Sequence, residues 1–311
     1  MMALKAVILL LVVAGIARAV NKGWNQLTVY DFRLTARSTG WILLSGVFYI
    51  AALTPIGIYW FRVLRAMGQR PSLVATMRAY FLGHLGKYVP GKAMVVVLRT
   101  GALKQTNSTV TAISVFAETL AMMAVGAFIA AAIIAIQFGD QTGFLVTSVI
   151  LMLLAGVPTF PPVFRFIVRK LKVDRVDDAV TKALDEYSWP LVFSGWASSL
   201  IGWLIMACSL WAILQAFPIA GRINAEPPSF IVAYPRMLAA VSLAVVAGFL
   251  SLLPGGVGVR ELVFNELLNE PYGAAIAMIC PVLLRLTWLC FELLTAGILQ
   301  LFHRGRASDR D

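Results

Sequence analysis

Long apolar stretches alternate with short polar links along most of the chain. A helix needs about 20 apolar residues to cross the hydrocarbon of a bilayer. Six stretches qualify as spans: Ala6–Val20, Trp41–Trp60, Thr109–Phe138, Gly143–Phe160, Leu191–Phe217 and Gly273–Phe302. Two further apolar regions are interrupted. Leu73–Leu103 is broken by Pro90-Gly91, and Phe230–Leu268 by Pro254-Gly255-Gly256. Proline removes a backbone donor and glycine favours turns, so each break predicts a helix end inside membrane-like sequence.

Composition makes the membrane reading firm. Of 311 residues, 60% are hydrophobic and 13% charged; the mean hydropathy is +0.84. Soluble domains average about 45–50% apolar and about 25% charged. The longest polar segment, Pro161–Trp189, is too short for a separate catalytic domain. Residues 1–311 therefore read as a single all-α polytopic membrane domain. The stretch "MMALKAVILLLVVAGIARAV" resembles a signal peptide, but its core is long enough to span. We read it as an uncleaved first helix.

Net charge is +11. The cations are dispersed between apolar runs, which excludes a nucleic-acid surface and suggests basic loops near anionic headgroups. Cys208, Cys280 and Cys290 sit in apolar context without metal-like spacing and read as packing residues. No metal, cofactor or nucleotide motif is present.

Cation placement then sets a topology. Arg62, Arg65, Arg70 and Arg78 follow the second span, six cations lie in the 161–189 loop, and Arg304, Arg306 and Arg310 lie in the tail. By the positive-inside rule all three regions, and both termini, are cytoplasmic. "FGDQTG" has no cation and falls outside. These sides fit together only if each interrupted region enters and leaves on one side, as a broken or re-entrant hairpin. The expected fold is about six full spans plus two such hairpins. Its two units, about 1–138 and 143–303, form an inverted repeat, a pattern typical of transporters. Lys22, Arg33 and Arg37 run against this scheme, because it leaves them outside.

Charges within apolar sequence mark candidate chemistry. They are Lys87, Lys92, Arg99, Glu118, Arg260, Glu261, Arg285 and Glu292. Cations outnumber acids, which suits an anionic ligand such as a lipid phosphate. Arginine matches phosphate oxygens with a planar fork, and lysine acts as a point charge. The substrate-binding set is Lys92, Arg99, Glu118, Arg260, Glu261 and Arg285. The hairpin tips are Pro90, Gly91, Pro254, Gly255, Gly256 and Gly258. Simpler readings stand beside these. Lys87, Lys92 and Arg99 snorkel if the first hairpin is shallow. Glu118 serves equally well as half of a structural ion pair. Arg260 and Glu261 fit a solvated turn. His84 reads as a packing residue. Arg285 and Glu292 lie seven residues apart and share a helix face. Glu118 and Glu261 are the candidates for proton coupling.

The run "YVPGKAMVVVLR", then Glu118, "LLPGGVGVRE" and "LLRLTWL" resembles the lysylphosphatidylglycerol synthase transmembrane-region family, also called flippase-like domains. "LPGGVGVRE" is the most specific piece, and the resemblance covers nearly the whole chain. It implies a protein that moves an anionic or zwitterionic lipid, or a lipid carrier, across the membrane. Family enzymes add a soluble aminoacyl-transferase domain that these residues lack, so lysyl transfer is not carried over and no enzyme activity is expected. The alternatives are an intramembrane headgroup transferase, with Glu118 or Glu261 as acid or base, and a membrane subunit holding a partner lipid-modifying enzyme on its Arg165–Glu186 loop. Membrane lipids are the expected partners, and oligomeric state is left open.

Overall fold

A computed structural model describes residues 10, 14, 17–18, 21, 25, 34–89, 93–137, 142–171, 178–217, 229–251, 256 and 258–308. Among them are eleven α-helices and no strand. They are α1 (Ala36–Ala66), α2 (Leu73–Leu85), α3 (Ala93–Ala102), α4 (Ser108–Gln137), α5 (Thr142–Gly156), α6 (Pro161–Lys170), α7 (Asp178–Asp185), α8 (Trp189–Ala216), α9 (Phe230–Leu250), α10 (Val259–Tyr272) and α11 (Ala274–Ser308). The all-α polytopic class holds. The expected first span, Ala6–Val20, lies largely outside the described residues.

Five helices are long and apolar enough to cross a membrane: Ala36–Ala66, Ser108–Ile136, Trp189–Ala216, Phe230–Leu250 and Ala274–Phe302. Local chemistry fixes where they start. The Thr35 hydroxyl accepts the Ser38 N–H at 3.1 Å, and the Ser38 hydroxyl accepts the Thr35 N–H at 2.7 Å, a reciprocal cap for α1. Asn107 Oδ1 accepts the N–H groups of Thr109 and Val110 and caps α4. The expected span Gly143–Phe160 is helical almost throughout, with a bend at its far end. Its helix stops at Gly156, passes through a 3-10 turn, Val157–Thr159, and bends 72° into α6. Pro158, Pro161 and Pro162 cannot supply the N–H groups that would carry the helix straight on.

Both interrupted regions are antiparallel helical hairpins. In the first, Arg78 Nη2 donates to the Ala102 carbonyl at 2.9 Å. Closer to the break, Gly83 lies against Arg99, and Gly86 lies against the backbone of Met94 and Val95. In the second, Arg236 pairs with Glu270 at 3.1 Å, and Gly248 lies against Arg260 and Gly256 near the tip. The first leg of this hairpin, Phe230–Leu250, is a full span's length rather than a short re-entrant piece.

The chain divides into two compact units. The described residues of the first come from Met1–Ala51, His84–Val95 and Leu204–Thr295. Its core includes Ala239, Ala240, Ala244 and Gly248 on α9, small residues that let helices approach without a hydrophobic drive from water. Gly248 makes one of the close approaches. A Cβ added there would lie 2.8 Å from Arg260 Nε and 3.2 Å from Gly256 Cα. Gly256 also has φ +67°, which glycine alone adopts readily. Gly248→Ala is therefore expected to destabilise the protein by about 1–3 kcal/mol through overpacking, read as a lower unfolding midpoint in detergent.

The second unit comprises Ala52–Gly83, Val96–Trp203 and the described part of Ala296–Asp311. The described parts of the 161–189 segment, expected as a polar cytoplasmic loop, pack into it. Phe164 and Val168 of α6, and Val180, Ala183 and Leu184 of α7, join Tyr59, Val63, Val110, Ile113 and Ala117 in one buried cluster. Tyr187, between α7 and α8, stacks its ring 4.3 Å from Phe164 and donates its hydroxyl to the Thr159 carbonyl at 3.2 Å. Burial pushes this phenol up to about 12, so it stays a donor at neutral pH.

Candidate functional site

The first unit gathers its charges in two adjoining sets, one around Glu292 and one around Arg285. Glu292 of α11 is fully buried. Its carboxylate accepts hydrogen bonds from Lys87 Nζ, the Tyr49 hydroxyl and, at 3.2 Å, the Tyr88 hydroxyl. His84 Nδ1 stands 3.9 Å away. The three donors come from α1 and the 3-10 turn Gly86–Tyr88, and His84 from α2, so a break in the first hairpin delivers Lys87 and Tyr88 to α11. The aromatic rings hold the lysine: Nζ lies 5.6 Å from the Tyr49 centroid and 5.2 Å from that of Tyr88.

A supporting layer fixes Tyr49. Its ring stacks on Trp288 at 4.4 Å with an interplanar angle of 7°. Trp288 Nε1 donates to Ser209 Oγ at 2.9 Å, and Ser209 shares a 2.8 Å hydrogen bond with Ser45. Three helices, α1, α8 and α11, are thus keyed to one orientation of the phenol.

The second set begins at the tip of the second hairpin. Gly258 has φ +90° and opens α10. Its N–H donates to Glu261 Oε2 at 2.7 Å, and Glu261 Oε1 faces Arg285 Nη1 at 3.6 Å. Glu261 sits in the first turn, where a carboxylate also favours the helix dipole. Arg260 lies on Gly248 and is within electrostatic range of Arg285, Tyr88, Tyr49 and Glu261. Its buried Nε has no hydrogen-bond partner among the described residues. The charged side chains here are not sealed: Lys87 keeps 25% of its surface, Glu261 19% and Arg285 14%. Lys87, Arg260 and Arg285 face two acids, Glu261 and Glu292, so the described cluster carries one excess positive charge.

Arg99 and Glu118 belong to the second unit and do not join this cluster. They pair at 2.5 Å, with side chains 3% and 2% exposed. The Arg99 guanidinium lies 4.8 Å from the Trp60 ring centroid and 4.4 Å from that of Tyr80. Trp60 is pinned in turn by its 3.0 Å hydrogen bond to Ser114. Of the other expected residues, Pro90, Gly91, Lys92, Pro254 and Gly255 lie outside the described residues. Arg260, Glu261, Arg285, Gly256 and Gly258 fall in the first unit together.

The expected set omitted the best-connected acid, Glu292, and its partners Lys87, Tyr49, Tyr88 and His84. Glu292 and Lys87 stood among the intramembrane charges, so that signal was present. Tyr49 and Tyr88 carried none, since a tyrosine in apolar sequence reads as core. Among the described residues no cluster of His, Cys, Asp and Glu could hold a metal ion.

A family model described as "Lysylphosphatidylglycerol synthase TM region" matches residues 2–295. No curated protein matches the chain.

Proposed function

Since the chain belongs to the lysylphosphatidylglycerol synthase transmembrane-region family, we propose that it carries the headgroup of an anionic or zwitterionic lipid across the bilayer. Arg260 and Arg285 receive the phosphate in this reading, and Lys87 adds a point charge behind them. The observation that supports it most is the partly accessible, cation-rich cluster of Lys87, Arg260 and Arg285, gathered beside the apolar helix α11. Charges at such depth are costly and tend to mark a substrate path. Acyl tails stay in the lipid, and only the headgroup barrier has to be lowered. No bond is made or broken, so the chain needs no general base. Each hairpin is read as part of one half of an inverted repeat.

The test is movement of labelled phosphatidylglycerol and phosphatidylcholine in reconstituted vesicles, with and without an imposed pH gradient. Wild type should accelerate leaflet exchange of at least one headgroup. Arg260→Gln and Arg285→Gln should each weaken it roughly ten- to a hundredfold, as expected for one lost charge-assisted hydrogen bond. Exchange no faster than in protein-free vesicles, for every headgroup and with either gradient, would falsify the proposal. Mass spectrometry of the same vesicles separates transport from headgroup transfer, which would leave a lipid of new mass.

A further inference from the structure

Helix α6, "PPVFRFIVRK", has two unlike faces. Pro161, Phe164 and Val168 are buried. Pro162, Arg165, Phe166, Arg169 and Lys170 line an open groove on the other side. That face carries three cations and no acid, yet Phe166 is 62% exposed and the following Leu171 66%. Lys170 Nζ lies 5.8 Å from the Phe166 ring centroid. Cations mixed with exposed apolar side chains suit a boundary between water and acyl chains better than either phase alone.

Two further observations place such a boundary here. First, α6 turns 72° from the apolar helix Ser148–Thr159. A helix bent that far from a span runs close to the bilayer plane. Second, Phe160, Trp189 and Phe193 form an exposed aromatic series at the ends of α5 and α8. Phe160 and Trp189 have ring centroids 5.2 Å apart, and Trp189 and Phe193 6.2 Å. Aromatic rings gather at the headgroup level.

We infer that α6 lies in the membrane interface and holds the phosphodiester of one anionic phospholipid on Arg169 and Lys170, with Phe166 and Leu171 dipping into the acyl boundary. Arg165 positions the helix: its Nη2 donates to the carbonyls of Asp185 at 3.0 Å and Tyr187 at 2.9 Å, and its charge faces the same groove. Asp185 competes for Arg169 at 3.3 Å, but both side chains are at least half exposed and such pairs are weak. The phosphate therefore displaces or shares that contact. This site lies in the second unit and does not depend on the transport reading.

Native mass spectrometry of the full chain in detergent tests it, with phosphatidylglycerol or phosphatidylcholine added. Wild type should retain one more phosphatidylglycerol than Arg169→Gln/Lys170→Gln, whose affinity for it should fall about thirtyfold. Phosphatidylcholine should be retained equally by both. The substituted side chains are exposed, so the variant's unfolding midpoint without added lipid should match wild type. Equal retention of phosphatidylglycerol overturns the site, and loss of the bound lipid to millimolar inorganic phosphate reassigns it to a soluble anion. A spin label on Phe166→Cys, in a cysteine-free chain in phosphatidylglycerol vesicles, reads depth. Relaxation by oxygen should exceed relaxation by a water-soluble nickel chelate. The reverse order puts this face in water, where a soluble partner protein would dock instead of lipid.

Discussion

Glu292→Ala should cost about 3–5 kcal/mol, the usual loss when one member of a buried ion pair is removed. Three donors, from Lys87, Tyr49 and Tyr88, converge on that carboxylate. Alanine leaves all three without it, and one is a cation. Lys87 keeps a quarter of its side-chain surface, so water recovers part of its charge and the loss falls toward the lower bound. Equilibrium unfolding in detergent measures it. Lys87→Met in the same chain should restore part of the loss, with a coupling of about 0.5–3 kcal/mol between the two sites. A double variant no more stable than Glu292→Ala would show that Lys87 is not the charge this carboxylate balances.

The second large effect is expected at Arg99 and Glu118. Glu118→Ala should also lose about 3–5 kcal/mol, because Arg99 stays buried between Trp60 and Tyr80 with no countercharge. Arg99→Lys is not conservative here, since an ammonium cannot stack on two rings as a planar guanidinium does. Arg99→Met/Glu118→Leu should come back to wild-type stability or exceed it, because a desolvated pair often contributes little against apolar packing. The double variant also separates the two readings of this pair. If it moves lipid as wild type does, the pair is structural. If it folds with full stability and moves none, Arg99 and Glu118 return to the substrate path.

That the helix ending at Leu85 resumes only at Ala93, and the one ending at Leu250 only at Val259, was legible because proline and glycine act locally. That each break joins antiparallel legs was foreseen from charge sidedness. Which residues meet across the legs was not, since the Gly83–Arg99 and Gly248–Arg260 contacts depend on helix rotation. The 161–189 segment misled because 11 of its 29 residues are charged, far above the 13% of the whole chain. Phe164 and Val168 nevertheless stand four residues apart, on the buried face of α6. The Glu292 centre was the hardest to read. Its donors lie 205, 243 and 204 positions away in the sequence, and no short motif records a meeting of that kind. Arg99 and Glu118 were grouped with the tip cations because all lie in apolar sequence. Composition reports an apolar setting, not which of the two compact units receives the charge.

The carboxylate of Glu261 has two claimants. One oxygen holds the Gly258 N–H at the start of α10, and the other faces Arg285 across from it on α11. An anion arriving at Arg285 therefore competes with a resident anion rather than filling an unopposed charge. When it wins, Glu261 keeps its hold on the backbone and gives up only the guanidinium. In the transport reading, exchange at this point would swap one negative group for another on the same cation.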